Sequence, residues 1–301
     1  MDLSLKVDVV NNISTEEFKS KYLKTQTPLV IKGLTRDTDA GQKWSLDYFK
    51  ETMGDTKVDL YDNRNTKSDA SAYTTPDLQM KFSEFLNILS TNESTPYRIF
   101  LFNLFKHNPV LRKEFPCPKV FKGVLDKIGY MFFASKDTPV RIHFDTDLSN
   151  VMLTQFEGRK RVVLFAPEYN EMLYCLPLNT YSLIDIDKPD YDKYPALRYV
   201  KGYEVILEPG DSIFMPSCYW HYMTYLDSGF CVSYRKLAPT FSIFLQGVIN
   251  LALYIPIDKM LNNMMGVKWL ERKKSIAEKR ANRAIKNQNI NPEFNTVPEI
   301  V

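Results

Sequence analysis

His143-Phe144-Asp145 and, far downstream, His221 in Pro216-Ser217-Cys218-Tyr219-Trp220-His221 are the residues of this chain best suited to chemistry. Two imidazoles and one carboxylate can occupy one face of a ferrous ion, leaving positions open for a chelating cosubstrate and dioxygen. A His-x-Asp pair alone arises by chance in many strands, so its surroundings matter. Arg141 to Asp145 alternates as a strand does, which predicts Arg141, His143 and Asp145 on one face and Ile142 and Phe144 on the other. Polar groups turned into a barrel need an occupant, and a metal would satisfy them. The alternative is a pair of buried, hydrogen-bonded histidines with no metal. Residues 212–216 read as a second strand that delivers His221 just past its end. Glu208-Pro209-Gly210-Asp211 launches that strand as a tight turn, with Pro and Gly in its central positions.

The elements that must hold these groups follow from periodicity and punctuation. Ser14, with Glu17 three residues on, reads as a helix start; 28–33 reads as a strand ending at Gly33, and a second helix opens at Trp44. A strand at 57–61, a polar mobile loop at 62–75, a helix at 82–89 and a buried strand at 97–105 complete the lead-in. From Gly129 onward short strands dominate, at 130–133, 141–145, 151–156, 161–165, 204–207, 212–215 and 230–234. Such a series predicts a sandwich or barrel, and a double-sheet jelly roll can place a ligand site in its mouth. The Tyr-, Asp- and Pro-rich insert 167–200 is expected to cross the surface. After Pro239 the pattern turns helical, with Phe241, Phe244, Leu245, Val248, Ile249 and Ala252 at helix-face spacing. Pro256 is expected to end or kink that helix and Asp258 to cap the next. So broad an apolar stripe must be buried, either on its own barrel or on a twin subunit.

Composition sets the wider bounds. The 301 residues suffice for one large core or two modest ones, and 18 Tyr with 19 Phe describe a folded chain. Cys117, Cys175, Cys218 and Cys231 show no paired spacing, which argues against a zinc or disulfide framework and for a reducing compartment. The opening residues carry no signal-peptide pattern. No stretch was expected to reach a membrane span, the nearest, Phe241 to Ile257, being interrupted by Gln246, Asn250 and Pro256. A cytoplasmic protein is the expectation. Net charge is only +3, yet residues 268–286 hold eight basic and two acidic side chains. The remainder is slightly acidic, so charge makes no general case for nucleic-acid binding, and the basic run reads first as a solvated helix face.

Taken together, several motifs in order resemble the JmjC or cupin-like family of Fe(II)- and 2-oxoglutarate-dependent oxygenases. The likeness is strongest to its small hydroxylases, typified by the asparaginyl hydroxylase of hypoxia-inducible factor. It is carried by His143-Phe144-Asp145, by the run Gln155 to Pro167, by Asp187-Lys188-Pro189-Asp190-Tyr191 and by Gly202-Tyr203-Glu204. Pro209-Gly210-Asp211, Met215-Pro216 and Trp220-His221 continue it, and the opening 28–33 followed by Trp44 also fits; coverage is roughly residues 10 to 237.

The resemblance implies a double-stranded β-helix, mainly β with flanking helices, in a catalytic domain 1–239 whose barrel is 129–237. A helical extension 240–288, suited to homodimerisation, and a flexible tail 289–301 would follow. His143, Asp145 and His221 would hold Fe(II), and Lys160 would pair with the distal carboxylate of 2-oxoglutarate, with Arg159 and Arg161 facing solvent. Asn150 and Thr138 would line the cosubstrate pocket, although Thr138 stands five residues before His143 rather than three. Arg235 stands near the place where the family often has Asn, and could approach the cosubstrate or a substrate acid; either Tyr97 or Phe100 would make the tyrosine-type contact. The implied reaction consumes O2 and 2-oxoglutarate to hydroxylate an unactivated C–H bond, most readily on a protein or peptide side chain. A small molecule or RNA base as substrate, or a non-enzymatic cupin-like binding protein, is the alternative.

Overall fold

The computed structural model describes residues 1–64, 75–125 and 127–288. Most of the expected loop at 62–75 and the whole tail 289–301 lie outside the described residues. The lead-in strands are β1 (Asp2–Leu5), β2 (Asp8–Val10), β3 (Leu29–Ile31), β4 (Lys57–Asp62), β5 (Leu78–Lys81) and β6 (Tyr97–Phe102). The barrel strands are β7 (Gly129–Ala134), β8 (Pro139–His143), β9 (Asn150–Glu157), β10 (Lys160–Phe165), β11 (Lys201–Leu207), β12 (Ser212–Met215), β13 (Trp220–Tyr225) and β14 (Gly229–Lys236). One sheet runs β1-β11-β10-β13-β8 and the other β2-β3-β12-β9-β14-β7-β6-β4-β5. From β7 to β14 the chain changes sheet at every step except β10 to β11. That alternation makes the jelly roll expected from the strand series.

Strands β9, β10, β12, β13 and β14 are buried on both faces because each is covered twice, whereas β11 keeps an exposed face. On β10, Val162 and Leu164 enter the core between the sheets with Val30, Val151, Leu153, Ile213, Met215 and Met223. Val163 and Phe165 point outward into a second core. Period two puts Lys160 with Val162 and Leu164, so this cation is aimed inward and is 1% exposed. Arg159 and Arg161 turn away, onto Asp227 and onto Asp187 and Glu204. The lead-in helices cover the nine-stranded sheet through a phenylalanine-rich core that includes Phe18, Phe49, Phe82, Phe85, Phe133 and Phe230.

Four expectations change. The strand expected at 97–105 stops at Phe102, because Asn103 accepts from Lys106 N–H and starts a helix at Leu104. The insert 167–200 does not simply cross the surface. Its Tyr169, Leu173, Tyr174, Leu176, Ile184 and Leu197 are buried with Trp220 and with Ala277 and Ala281 of the last helix, Val267–Gln288. Residues 241–265 form one continuous 25-residue helix, long and apolar enough by length and composition to cross a membrane. Pro256 does not end it. A π turn at Asn250–Tyr254 precedes the proline, and Ile255 N–H reaches back to the Asn250 carbonyl, so the register is already widened where the ring must fit.

The polar face of that helix, not its apolar stripe, meets the barrel. Gly247 is buried against the Asp147 backbone, and Asn250 Nδ2 donates to the Thr146 carbonyl at 3.1 Å. Phe241, Phe244, Leu245, Val248, Leu251, Leu253 and Met264 stay exposed. Asp258 caps nothing; it is buried, accepting from Trp269 Nε1 at 2.7 Å and from Lys273 Nζ at 2.9 Å. A Cβ on Gly247 would lie 2.4 Å from the Asp147 carbonyl oxygen. Gly247→Ile is therefore expected to lift the helix from the 146–147 loop. Hydrogen exchange should show faster amide exchange across 241–255, and unchanged protection would refute this docking.

Candidate metal centre

His143 closes β8 and His221 is the second residue of β13, and the two face one another in the ladder. The register between these strands slips: His221 pairs with His143, but Met223 pairs with Val140 rather than Arg141. One extra residue in β8 is a bulge, and it changes which side chains share a face. Val140 and His143 now enter the same cavity, whereas Arg141 leaves it and stacks on Tyr181, 4.0 Å from the ring centre. Simple alternation of Arg141, His143 and Asp145 is thus not what the fold uses. Asp145 lies beyond the strand, in a turn where Leu148 N–H returns to its carbonyl at 3.0 Å and Leu148 takes φ +53°. Residues 212–216 end in the other sheet, so a separate strand, β13, carries His221. The β-branched and aromatic run Trp220 to Tyr225 was the signal for it.

The three ligand atoms of His143, Asp145 and His221 lie within 4.8 Å of one another. His143 Nδ1 is 2.7 Å from the Arg141 carbonyl and His221 Nδ1 is 3.2 Å from the Tyr219 carbonyl. A carbonyl only accepts, so both Nδ1 atoms carry the proton and both Nε2 atoms present lone pairs. Those Nε2 atoms are 3.1 Å apart. Burial, then the neighbouring His221, pushes the His143 pKa down to about 3, and burial lowers that of His221. Two neutral imidazoles cannot satisfy each other in this arrangement. A cation between them and the carboxylate would, and the donor set fits divalent iron.

Arg235 fixes the carboxylate. Its guanidinium reaches Asp145 Oδ2 at 2.9 Å and Oδ1 at 3.1 Å, Asp147 Oδ1 at 3.2 Å and Ser149 Oγ at 2.9 Å. Burial opposes charge on Asp145, yet Arg235 and the histidines hold its carboxyl below the usual range. Arg235 also lines both cavities that meet at the triad.

The smaller cavity, about 70 Å³, runs inward from the triad. Met215, Met223, Val151, Leu153 and Phe132 wall it, with Lys160 and Arg98 as cations besides Arg235. Lys160 Nζ donates to Cys231 Sγ at 2.8 Å and sits 3.9 Å from the Tyr225 ring centre. Burial lowers the Lys160 pKa, opposed by Cys231. Ser233 Oγ lines the same cavity and is buried with no hydrogen-bond partner among the described residues. A buried ammonium and an orphaned hydroxyl are what a dicarboxylate would satisfy. The larger cavity, about 400 Å³, is the mouth, lined by Phe100, Leu101, Tyr130, Leu178, Tyr181, Leu251 and Tyr254. Leu101 and Leu178 hold φ of +51° and +58° there, a strained state for side-chain-bearing residues.

Sequence-predicted residues divide accordingly. His143, Asp145, His221, Lys160, Arg235 and Phe100 meet at the two cavities; Tyr97 does not line them. Asn150 does not line them either. Its amide donates to the Leu237 carbonyl at 3.0 Å and accepts from Gln26 Nε2 and Ser217 N–H, each at 3.1 Å, tying together the turns beside the triad. Thr138 is buried against Ser135 Oγ at 3.2 Å, two residues before the bulge, and is likewise outside the cavity. Arg98, Tyr225, Cys231 and Ser233 were not foreseen. Strand parity from Arg235 offered a signal for Cys231 and Ser233, which share its face of β14.

Residues 14–235 match the cupin-like domain family. The chain belongs to the cupin-like domain family. It is 28% identical over 231 residues to lysine-specific demethylase 8 of Xenopus tropicalis, covering 73% of this chain and 50% of that protein. It is 24% identical over 235 residues to tRNA wybutosine-synthesizing protein 5 of Gallus gallus, covering 72% of this chain and 73% of the relative. It is 26% identical over 246 residues to JmjC domain-containing protein D of Dictyostelium discoideum, covering 73% and 53%. The chain thus spans only about half the length of two of these relatives.

The buried histidines make stability depend on pH. His143 has a depressed folded pKa, so the unfolded chain binds more protons between pH 6.5 and about 3. The metal-free protein should therefore lose stability as pH falls through that window, by at most about 1.4 kcal/mol per unit for one such group. Urea unfolding of His143→Asn from pH 7 to 4 should give a shallower slope than wild type, and parallel slopes would contradict a buried neutral imidazole.

Proposed function

We propose that this protein is an Fe(II)- and 2-oxoglutarate-dependent oxygenase that hydroxylates an unactivated C–H bond on a protein or peptide side chain. The observation that carries this reading is the pair of Nδ1-protonated histidines presenting Nε2 lone pairs 3.1 Å apart beside Asp145, with a buried ammonium in the adjoining cavity. Membership of the cupin-like family and its JmjC relatives supports it. His143, Asp145 and His221 would hold the iron. The bound metal supplies dioxygen activation coupled to oxidative decarboxylation of the 2-oxo acid.

The protein's own share is holding, orienting and drying the site. Lys160 would meet the distal carboxylate, exchanging its Cys231 contact for a charge-assisted one. Ser233 Oγ offers a second donor on the same wall. Met215, Met223, Val151 and Leu153 exclude water from the chain of the cosubstrate. Arg235, held on both oxygens of Asp145, keeps the carboxylate from rotating away from the histidines. The mouth, with Phe100, Tyr130, Tyr181 and Tyr254, would receive the substrate group. An RNA base is the second reading, favoured by the exposed Lys268, Arg272, Lys279, Arg280, Arg283 and Lys286 of the last helix and by the resemblance to a tRNA wybutosine-synthesizing protein.

The exposed stripe of Phe241, Phe244, Leu245 and Val248 suits a self-complementary two-fold contact, so a homodimer belongs to this proposal. Leu245→Glu with Val248→Glu should then give a monomer by light scattering. A wild type already monomeric at micromolar concentration would remove the dimer.

Turnover is tested by 2-oxoglutarate consumption with Fe(II) and by mass addition of one oxygen to cell-extract peptides. Failure of 2-oxoglutarate to bind or be consumed under any condition would leave a binding protein. Lys160→Met should weaken 2-oxoglutarate by about 2–5 kcal/mol in calorimetry while Fe(II) affinity stays unchanged. Equal losses for both ligands would indicate misfolding, and no loss would move the anchor to another cation of the cavity.

A further inference from the structure

The contact between Lys160 and Cys231 is a feature of the inner cavity that the proposed reaction does not use. Lys160 Nζ lies 2.8 Å from Cys231 Sγ, and both residues are essentially solvent-free, at 1% and 0% exposure. Tyr225 closes the pair from a third side, with its ring 3.9 Å from Nζ and its hydroxyl 3.9 Å from Sγ. The three residues nevertheless line a cavity that also contains the triad. A small neutral molecule able to enter that cavity therefore reaches a thiol whose nearest neighbour is an amine.

We propose that Cys231 and Lys160 are a covalent modification site, in which peroxide joins them through a sulfur–nitrogen bond. The Cys231 sulfur attacks one oxygen of hydrogen peroxide, the O–O bond breaks, and sulfenic acid and water form, with sulfur oxidised by two electrons. The Lys160 amine lone pair then attacks that sulfur. An S–N bond forms, the S–O bond breaks, and the hydroxyl leaves as water with a proton from nitrogen. One thiol, one amine and one peroxide thus become one sulfenamide and two waters. Geometry favours the second step over further oxidation, because the nitrogen is already in contact with the sulfur and burial keeps competing thiols away. Burial lowers the Lys160 pKa, which shifts the balance toward the amine that this step uses. The link removes the ammonium from the cavity. Its consequence for cosubstrate binding rests on the reading above; the link itself does not.

The test is peptide mapping by mass spectrometry of the full chain, with and without brief exposure to hydrogen peroxide, followed by amine acylation under denaturing conditions without reductant. The expected product is a cross-linked peptide joining Lys160 to Cys231, lighter by two hydrogens than its parts, with Lys160 closed to acylation. Reduction by dithiothreitol should restore both peptides. Cys231→Ser keeps the volume and lacks the thiol, and should show no link and an acylable Lys160 after the same treatment. Any other mass at Cys231, or a Lys160 that stays open to acylation in the treated wild type, overturns the proposal. The readout needs no iron, 2-oxoglutarate or turnover, so an enzyme inactive in every assay would leave this result standing.

Discussion

Two neutral imidazoles held with their lone pairs toward each other, beside a carboxylate, are the arrangement on which the rest of this structure depends. Left alone, His143 and His221 would turn so that one ring donated to the other. The carbonyls of Arg141 and Tyr219 prevent this by taking the Nδ1 protons. Each of those carbonyls belongs to the residue two positions earlier in the chain, so the local backbone sets the tautomer before any ligand arrives. Facing β8 against β13 then brings the two rings within contact distance.

That pairing has supports at increasing range. The bulge in β8 turns Val140 and His143 inward together, and the Arg235 fork holds Asp145. Asn150, which lines neither cavity, draws Gln26, Ser217 and Leu237 together around the turns that carry Asp145 and precede His221. A buried amide with three partners from separate segments costs little once formed and much if any partner is lost. The insert 167–200 adds a second core behind β13 through Trp220, whose Nε1 donates to Asn170. The edge of the barrel that carries His221 is thus covered on the side away from the cavity.

The same folding leaves two features out of balance. Lys160 is carried into the barrel by strand parity and finds a sulfur rather than a carboxylate. The helix of residues 241–265 meets the barrel through Gly247 and Asn250 and leaves its broad apolar surface outside. Both are costs that a further partner would offset: an anionic ligand for the first, an apolar surface for the second. Because Leu251 and Tyr254 of that helix also line the mouth, whatever covers it adjoins the place where a substrate would enter.

Sequence alone determined the features that depend on residue type and local period. The His-x-Asp pair with a distant histidine, the inward parity of Lys160, the jelly roll and the cap at Ser14 follow from side-chain chemistry and alternation over a few residues. Tertiary structure decided what depends on register and on partners from elsewhere in the chain. Only the slip between β13 and β8 says that Arg141 leaves the site, since a bulge changes parity without changing composition. Only packing says that Asn150 is a structural tie, that Thr138 faces Ser135, and that Cys231 comes to rest on Lys160, 71 residues away. The C-terminal helix makes the same point. Its apolar stripe was legible, but which face docks was set by the one position, Gly247, small enough to let the Asp147 backbone approach.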